Sequence, residues 1–145
     1  MMSRHILPPI RVGLLVAWTA LILYGTLKTS PFSSGAGGWI GAWGRRLGIP
    51  EAVQADAFHF VAYAVWAWFL AGVIAVGYLR PFARRHLAIC IGLLIVMSAT
   101  QEALQFLNPT RTSSVGDFAL NVVGGGLCLL ARGVVLPKGT ARRKA

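Results

Sequence analysis

Four long apolar stretches occupy most of the chain, at about Val12 to Leu27, Ala57 to Leu79, Leu87 to Leu107 and Phe118 to Leu136. As helices the last three reach about the 30 Å of a hydrocarbon core, and the first, at about 24 Å, falls roughly one turn short of it. The pattern predicts an all-α polytopic membrane protein, a four-helix transmembrane bundle forming a single domain over residues 1–145. The connections differ in character. Arg80 to His86 reads as a short turn, with Pro81 ending one helix and a basic cluster anchoring both. Lys28 to Gln54 is longer and rich in Gly and Ser at Pro31 to Gly38. Within it Trp39, Ile40, Trp43 and Leu47 share one side of a helical wheel, with Arg45 and Arg46 off it. This suits a short helix lying in the outer interface with its tryptophans at headgroup level; an irregular loop with two anchoring tryptophans is the alternative. Pro50 and Glu51 then mark a helix start, with proline at the first turn and an acid at the positive end.

Composition agrees with the pattern. Of 145 residues, 56% are hydrophobic and only 12% charged, with a mean hydropathy of +0.65. Soluble domains usually carry about a quarter charged residues. The two cysteines, Cys90 and Cys128, lie inside apolar stretches and give no disulfide framework. No small-x-small cleavage site follows the first stretch, where Gly25 to Ser30 reads Gly-Thr-Leu-Lys-Thr-Ser, so it is expected to remain as a helix. Gly13 and Ala17 form a small-xxx-small pair suited to packing within the bundle.

The net charge of +10 changes meaning once it is placed along the chain. Under alternating topology one side holds Arg4, Arg11, Arg80, Arg84, Arg85, Arg132, Lys138, Arg142, Arg143 and Lys144. The other holds Lys28, Arg45, Arg46 and Arg111. Ten cations against four put both termini in the cytoplasm by the positive-inside rule. The basic tail is expected on anionic lipid headgroups, which leaves no role for nucleic acid.

All four acids, Glu51, Asp56, Glu102 and Asp117, then fall toward the extracytoplasmic side. Asp56, His59 and Tyr63 lie within about 60° of one another on one helix face. Glu102 sits about 10 Å below Pro109, where its helix should end, with Gln105 one turn above and Gln101 four residues before Gln105. Asp117 opens the fourth span, and Asn121, Gly124 and Cys128 continue its face. Arg111 is the cation of the intervening loop. A carboxylate in hydrocarbon costs at least about 2.5–3.5 kcal/mol, so these groups should meet one another or a watery cavity near the outer leaflet. Glu102 is the strongest case, too deep for snorkelling or a helix end to relieve. A purely structural clasp is the competing account, with Asp117 capping its helix and Arg111 pairing with Glu102 or Asp56.

The chemistry open to such a cluster is limited. A carboxylate beside a histidine serves as general base, and a second in an apolar wall holds a proton as acid, which makes His59, Glu102 and Asp117 the candidate catalytic groups. Arg111 suits a phosphate or carboxylate, and Asp56, Tyr63, Gln105 and Asn121 complete a ligand-binding wall. No spacing matches a dedicated metal motif, so neither a metal nor another cofactor is expected. Ser98, Ser113 and Ser114 lack a nucleophile elbow. Gly124 to Gly126 lie within a membrane helix, where close packing explains them better than phosphate binding.

Read in order, Glu102-x-x-Gln105-x-x-x-Pro109-x-Arg111 and Asp117-x-x-x-Asn121-x-x-Gly124 resemble the signature of the VanZ-like family. Asp56-x-x-His59-x-x-x-Tyr63 resembles that family's second-helix pattern, with Ala57 departing from the lysine that relatives often carry after the aspartate. The resemblance covers essentially the whole chain. It implies a bacterial inner-membrane accessory protein of the cell envelope, of the kind that lowers sensitivity to teicoplanin among the glycopeptides. It supplies a setting and a site but no reaction. The expected partner is a membrane lipid or lipid-linked envelope precursor, held through an anionic group. The alternatives are an intramembrane enzyme acting on a lipid headgroup or lipid phosphate, and a small proton-coupled carrier.

Overall fold

The computed structural model describes residues 8–27, 35–75, 84–108 and 114–135. They form five helices: α1 (Pro8–Leu27), α2 (Gly35–Arg46), α3 (Glu51–Ile74), α4 (Arg84–Phe106) and α5 (Val115–Val135). The fold is all-α, and α1, α3, α4 and α5 are each long and apolar enough to cross a membrane. This is a multi-pass membrane protein. At 24 residues α3 runs about 36 Å, more than the hydrocarbon core requires. It touches all four other described helices and forms the axis of the bundle.

Helix ends depart from the apolar stretches for local reasons. α1 begins at Pro8, ahead of Val12, because proline with its fixed φ suits a first helical turn. α3 begins at Glu51, six residues before the apolar stretch at Ala57, with Pro50 at its N-cap. α4 stops at Phe106, short of Leu107 and Pro109. Asn108, restricted by the following proline, closes a tighter turn through its N–H to the Gln105 carbonyl (2.9 Å). Its side-chain amide donates to the Leu27 carbonyl (3.2 Å), satisfying one of the open acceptors at the end of α1.

The longer connection contains a helix, as the Trp-rich face suggests. α2 ends in a Schellman motif: the Ile49 N–H donates to the Gly44 carbonyl (2.9 Å) and the Gly48 N–H to that of Arg45 (3.0 Å). Gly48 takes φ +71°, where a side chain would be strained. Gly44 then lies against the Gln54 side chain, whose Nε2 donates to the Ile49 carbonyl (2.8 Å), so the turn and the first coil of α3 are joined. Trp39, Ile40, Trp43 and Leu47 remain exposed.

Close approach and indole bonds hold the bundle. A Cβ on Gly124 of α5 would sit 2.3 Å from the Phe60 carbonyl oxygen of α3, so that crossing admits only glycine. Gly125 receives the Leu94 side chain of α4 in the same way. α1 docks on α3 by two reciprocal indole bonds, Trp18 Nε1–H to the Ala62 carbonyl and Trp66 Nε1–H to Thr19 Oγ1, both 2.9 Å. Gly13 and Ala17, expected inside the bundle, are exposed. The large side chains of Leu15, Trp18 and Ile22 take the contact face instead, because the indole N–H must find an acceptor in a medium without water.

Arg132 is buried, where a headgroup charge was expected. Its NH1 donates to the Trp68 carbonyl (3.2 Å) and the guanidinium lies 5.2 Å from the Trp68 ring centroid. Cys90, Leu94, Ala67, Ala71 and Leu129, all without exposed surface, fill the centre of the bundle.

Candidate functional site

α3, α4 and α5 bring polar side chains together at one end of the bundle. His59 is at its middle. Nδ1 of the ring is 3.0 Å from the Asn121 amide oxygen of α5, which makes Nδ1 the donor and leaves proton exchange to Nε2. Nε2 is 3.9 Å from Asp117 Oδ2, too far for a direct hydrogen bond and close enough for an ion pair when the ring is charged. The Gln101 amide nitrogen of α4 is 3.5 Å from Nδ1, a packing contact between two donors. Gln101 accepts instead from Tyr63, whose hydroxyl is 2.5 Å from Oε1 and 3.4 Å from the Met97 carbonyl. Asn121 has no exposed surface, and its Nδ2 has no partner among the described residues. Such a buried donor ordinarily finds an ordered water or a ligand acceptor.

Glu102 plays a different part from the one expected. α4 buries Cys90, Leu94, Ser98, Gln101 and Gln105, a continuous face at helical spacing, and Glu102 lies about 80° from the centre of that face. It is one turn from the end of α4, and α5 begins beside it. Ser114 caps α5: its Oγ accepts from the Gly116 N–H (3.0 Å) and its carbonyl from the Phe118 N–H (3.1 Å). In a capping box the acid three residues on would return to the cap's own N–H. Here Asp117 holds that third position, yet the Ser114 N–H donates to Glu102 Oε2 (3.1 Å). Glu102 thus completes the box from another helix, and Asp117 faces His59. A helix end does relieve this acid, since the positive pole of α5 meets it. Ser114, rather than Asp117, is the cap.

Asp56 is exposed and lies outside the cluster. It is one turn nearer the end of α3, where a carboxylate loses least by staying in the aqueous interface. Gln105, expected in the ligand-binding wall, is buried one turn beyond Gln101, and Gln101 is the amide beside His59. Arg111 lies outside the described residues. A cleft of about 350 Å³ opens beside the cluster, lined by Ala99, Glu102, Ser114, Val115 and Phe118. Among the described residues no group of three His, Cys, Asp or Glu is placed to hold a metal ion.

Gln101 and Ser114 were noted in the sequence but given no part in the site. Each had a signal: Gln101 continues the buried stripe from Cys90, and Ser114-x-x-Asp117 has the form of a capping box. Comparison of the chain with known protein families, curated proteins and solved structures gives no match in any of the three.

Proposed function

We propose that this chain is a bacterial inner-membrane accessory protein of the cell envelope, similar to VanZ-like proteins, that binds a lipid headgroup or lipid-linked envelope group at the outer leaflet. The observation that carries this reading is the His59 ring, pinned through Nδ1 by a buried asparagine and turned by Nε2 toward a half-buried aspartate. A clasp serving stability alone gains nothing from holding a carboxylate 3.9 Å from an imidazole without a direct bond. The positive-inside count favours cytoplasmic termini, which turns the cluster outward. Carriage across the membrane is less favoured, because the polar chain stops at Tyr63 and an apolar layer around Leu94 and Leu129 lies below it. Catalysis remains the second reading, favoured by the same imidazole–carboxylate pair acting as proton acceptor.

The test is native mass spectrometry of the full chain released from its own membrane, beside teicoplanin susceptibility of cells expressing it. Wild type should retain a lipid or lipid-linked species and raise tolerance, and Asp117→Asn should lose both while inserting normally. A chain that carries no lipid and leaves susceptibility unchanged overturns the proposal.

A further inference from the structure

Resting on that reading of the site, we infer that the group taken between His59 and Asp117 is a primary ammonium, the headgroup chemistry of an aminoethyl phospholipid, and that it competes there with a proton. With Nδ1 donating to the Asn121 oxygen, the neutral ring presents its Nε2 lone pair toward Asp117. Two acceptors, one of them an anion, then stand 3.9 Å apart. They cannot bond each other, yet a donor atom placed between them reaches both at about 2.8 Å. An ammonium brings three N–H donors and one positive charge, which satisfies both acceptors and the carboxylate's charge. A quaternary ammonium has the charge but no N–H, and a glycerol headgroup carries no cation. Neither side chain is fully sealed, with 13% of His59 and 23% of Asp117 exposed. The ring's other edge is sealed by Asn121, whose unpartnered Nδ2 marks the cluster as built for a guest or an ordered water.

The neighbouring groups set the sign of the pH dependence. Tyr63 from α3, Gln101 from α4 and Asn121 from α5 are neutral, and Glu102 from α4 adds a second negative charge at this end. When the ring takes a second proton, Nε2–H points at Asp117 and neutralises it, and the ammonium loses both an acceptor and its counter-charge. The ammonium and a second ring proton therefore exclude each other at this site. A lower pH therefore weakens binding, since a ring that gains that proton loses its acceptor while a primary ammonium keeps its charge throughout.

The experiment measures binding of dioctanoyl phosphatidylethanolamine, phosphatidylcholine and phosphatidylglycerol to the full-length protein in detergent, at pH 5 and pH 8. The ethanolamine lipid should bind at least about tenfold tighter than the choline lipid at pH 8, and about tenfold weaker at pH 5. His59→Gln keeps an acceptor near the Nε2 position and cannot take a proton, so binding should survive and lose its pH dependence. Asp117→Asn should erase the preference for ethanolamine. Thermal melting of each variant shows that it is folded, and the wild-type comparison of three lipids stands even where a variant is not. Free ethanolamine binding as tightly as its lipid would support the ammonium but assign a soluble source. Equal binding of the choline and ethanolamine lipids, tighter binding of the glycerol lipid, or an unchanged pH slope in His59→Gln overturns the inference and leaves a lipid site in place. Binding of none of the three lipids removes the lipid-group reading itself.

Discussion

Glu102 on α4 accepts the backbone N–H of Ser114, the cap of α5, at 3.1 Å. The acid expected to do this, Asp117, is three residues further on and 3.9 Å from the His59 ring. One hydrogen bond between two helices thus decides which carboxylate supports the fold and which one meets the imidazole.

Glu102→Gln retains an acceptor for that N–H and should melt near wild type, with the proposed lipid binding intact. Glu102→Leu leaves the N–H without it and should cost about 1–2 kcal/mol. Hydrogen exchange at Ser114 to Phe118 should rise in the leucine variant alone. Loss of function in the glutamine variant with an unchanged melt would give Glu102 a role in proton transfer.

Gly124→Ala drives a methyl group into the Phe60 carbonyl oxygen and must part α3 from α5. A loss of about 1–3 kcal/mol in detergent melting is expected. Gly126→Ala, two residues along the same helix with no atom within 4 Å of its added Cβ, should be neutral or stabilising by up to about 1 kcal/mol. Equal effects at the two positions would contradict the crossing described.

Arg132→Lys keeps the charge but loses the flat guanidinium over Trp68. It should destabilise by about 1–2 kcal/mol, and Trp68→Leu by a comparable amount through the same contact. A double variant no worse than either single one identifies the pair as the source.

Orientation is checked in a cysteine-free background by single cysteines at Arg46, exposed on α2, and Arg85, exposed at the start of α4. Impermeant label should reach Arg46→Cys from outside intact cells and Arg85→Cys only after permeabilisation. The reverse pattern would turn the cluster toward the cytoplasm.

The spans and the gathering of polar groups from three helices were legible because apolar length and helical spacing encode them directly, whereas after the first span the Trp-rich face left a helix and a loop both open. His59 with Asn121 and Tyr63 with Gln101 follow from stripes that any helical wheel displays. Ends and pairings were less legible. Whether Gln101 or Gln105 met His59 depended on the relative sliding of α3 and α4, set by contacts such as the Tyr63 hydroxyl on the Met97 carbonyl, which one-dimensional spacing does not contain. The burial of Arg132 was hidden for the same reason: its acceptor is a main-chain carbonyl, and a carbonyl has no letter in the sequence. Gly13 and Ala17 carried the right motif for packing and yielded to Trp18, whose indole had the stronger demand.

The order in which the helices leave the ribosome gives the Gly124 crossing a further consequence. α1 and α3 can dock as a pair as soon as both are made, since each supplies an indole to the other. α5 emerges after α1 to α4, yet it carries Asp117, Asn121 and the glycines that let it lie against Phe60. A nascent or truncated chain that stops after α4 therefore displays His59 without its partners, a lone imidazole on an unfinished membrane face. Assembly of the site waits for α5, so a partly inserted copy offers a polar face to whatever surveys the membrane for unfinished proteins.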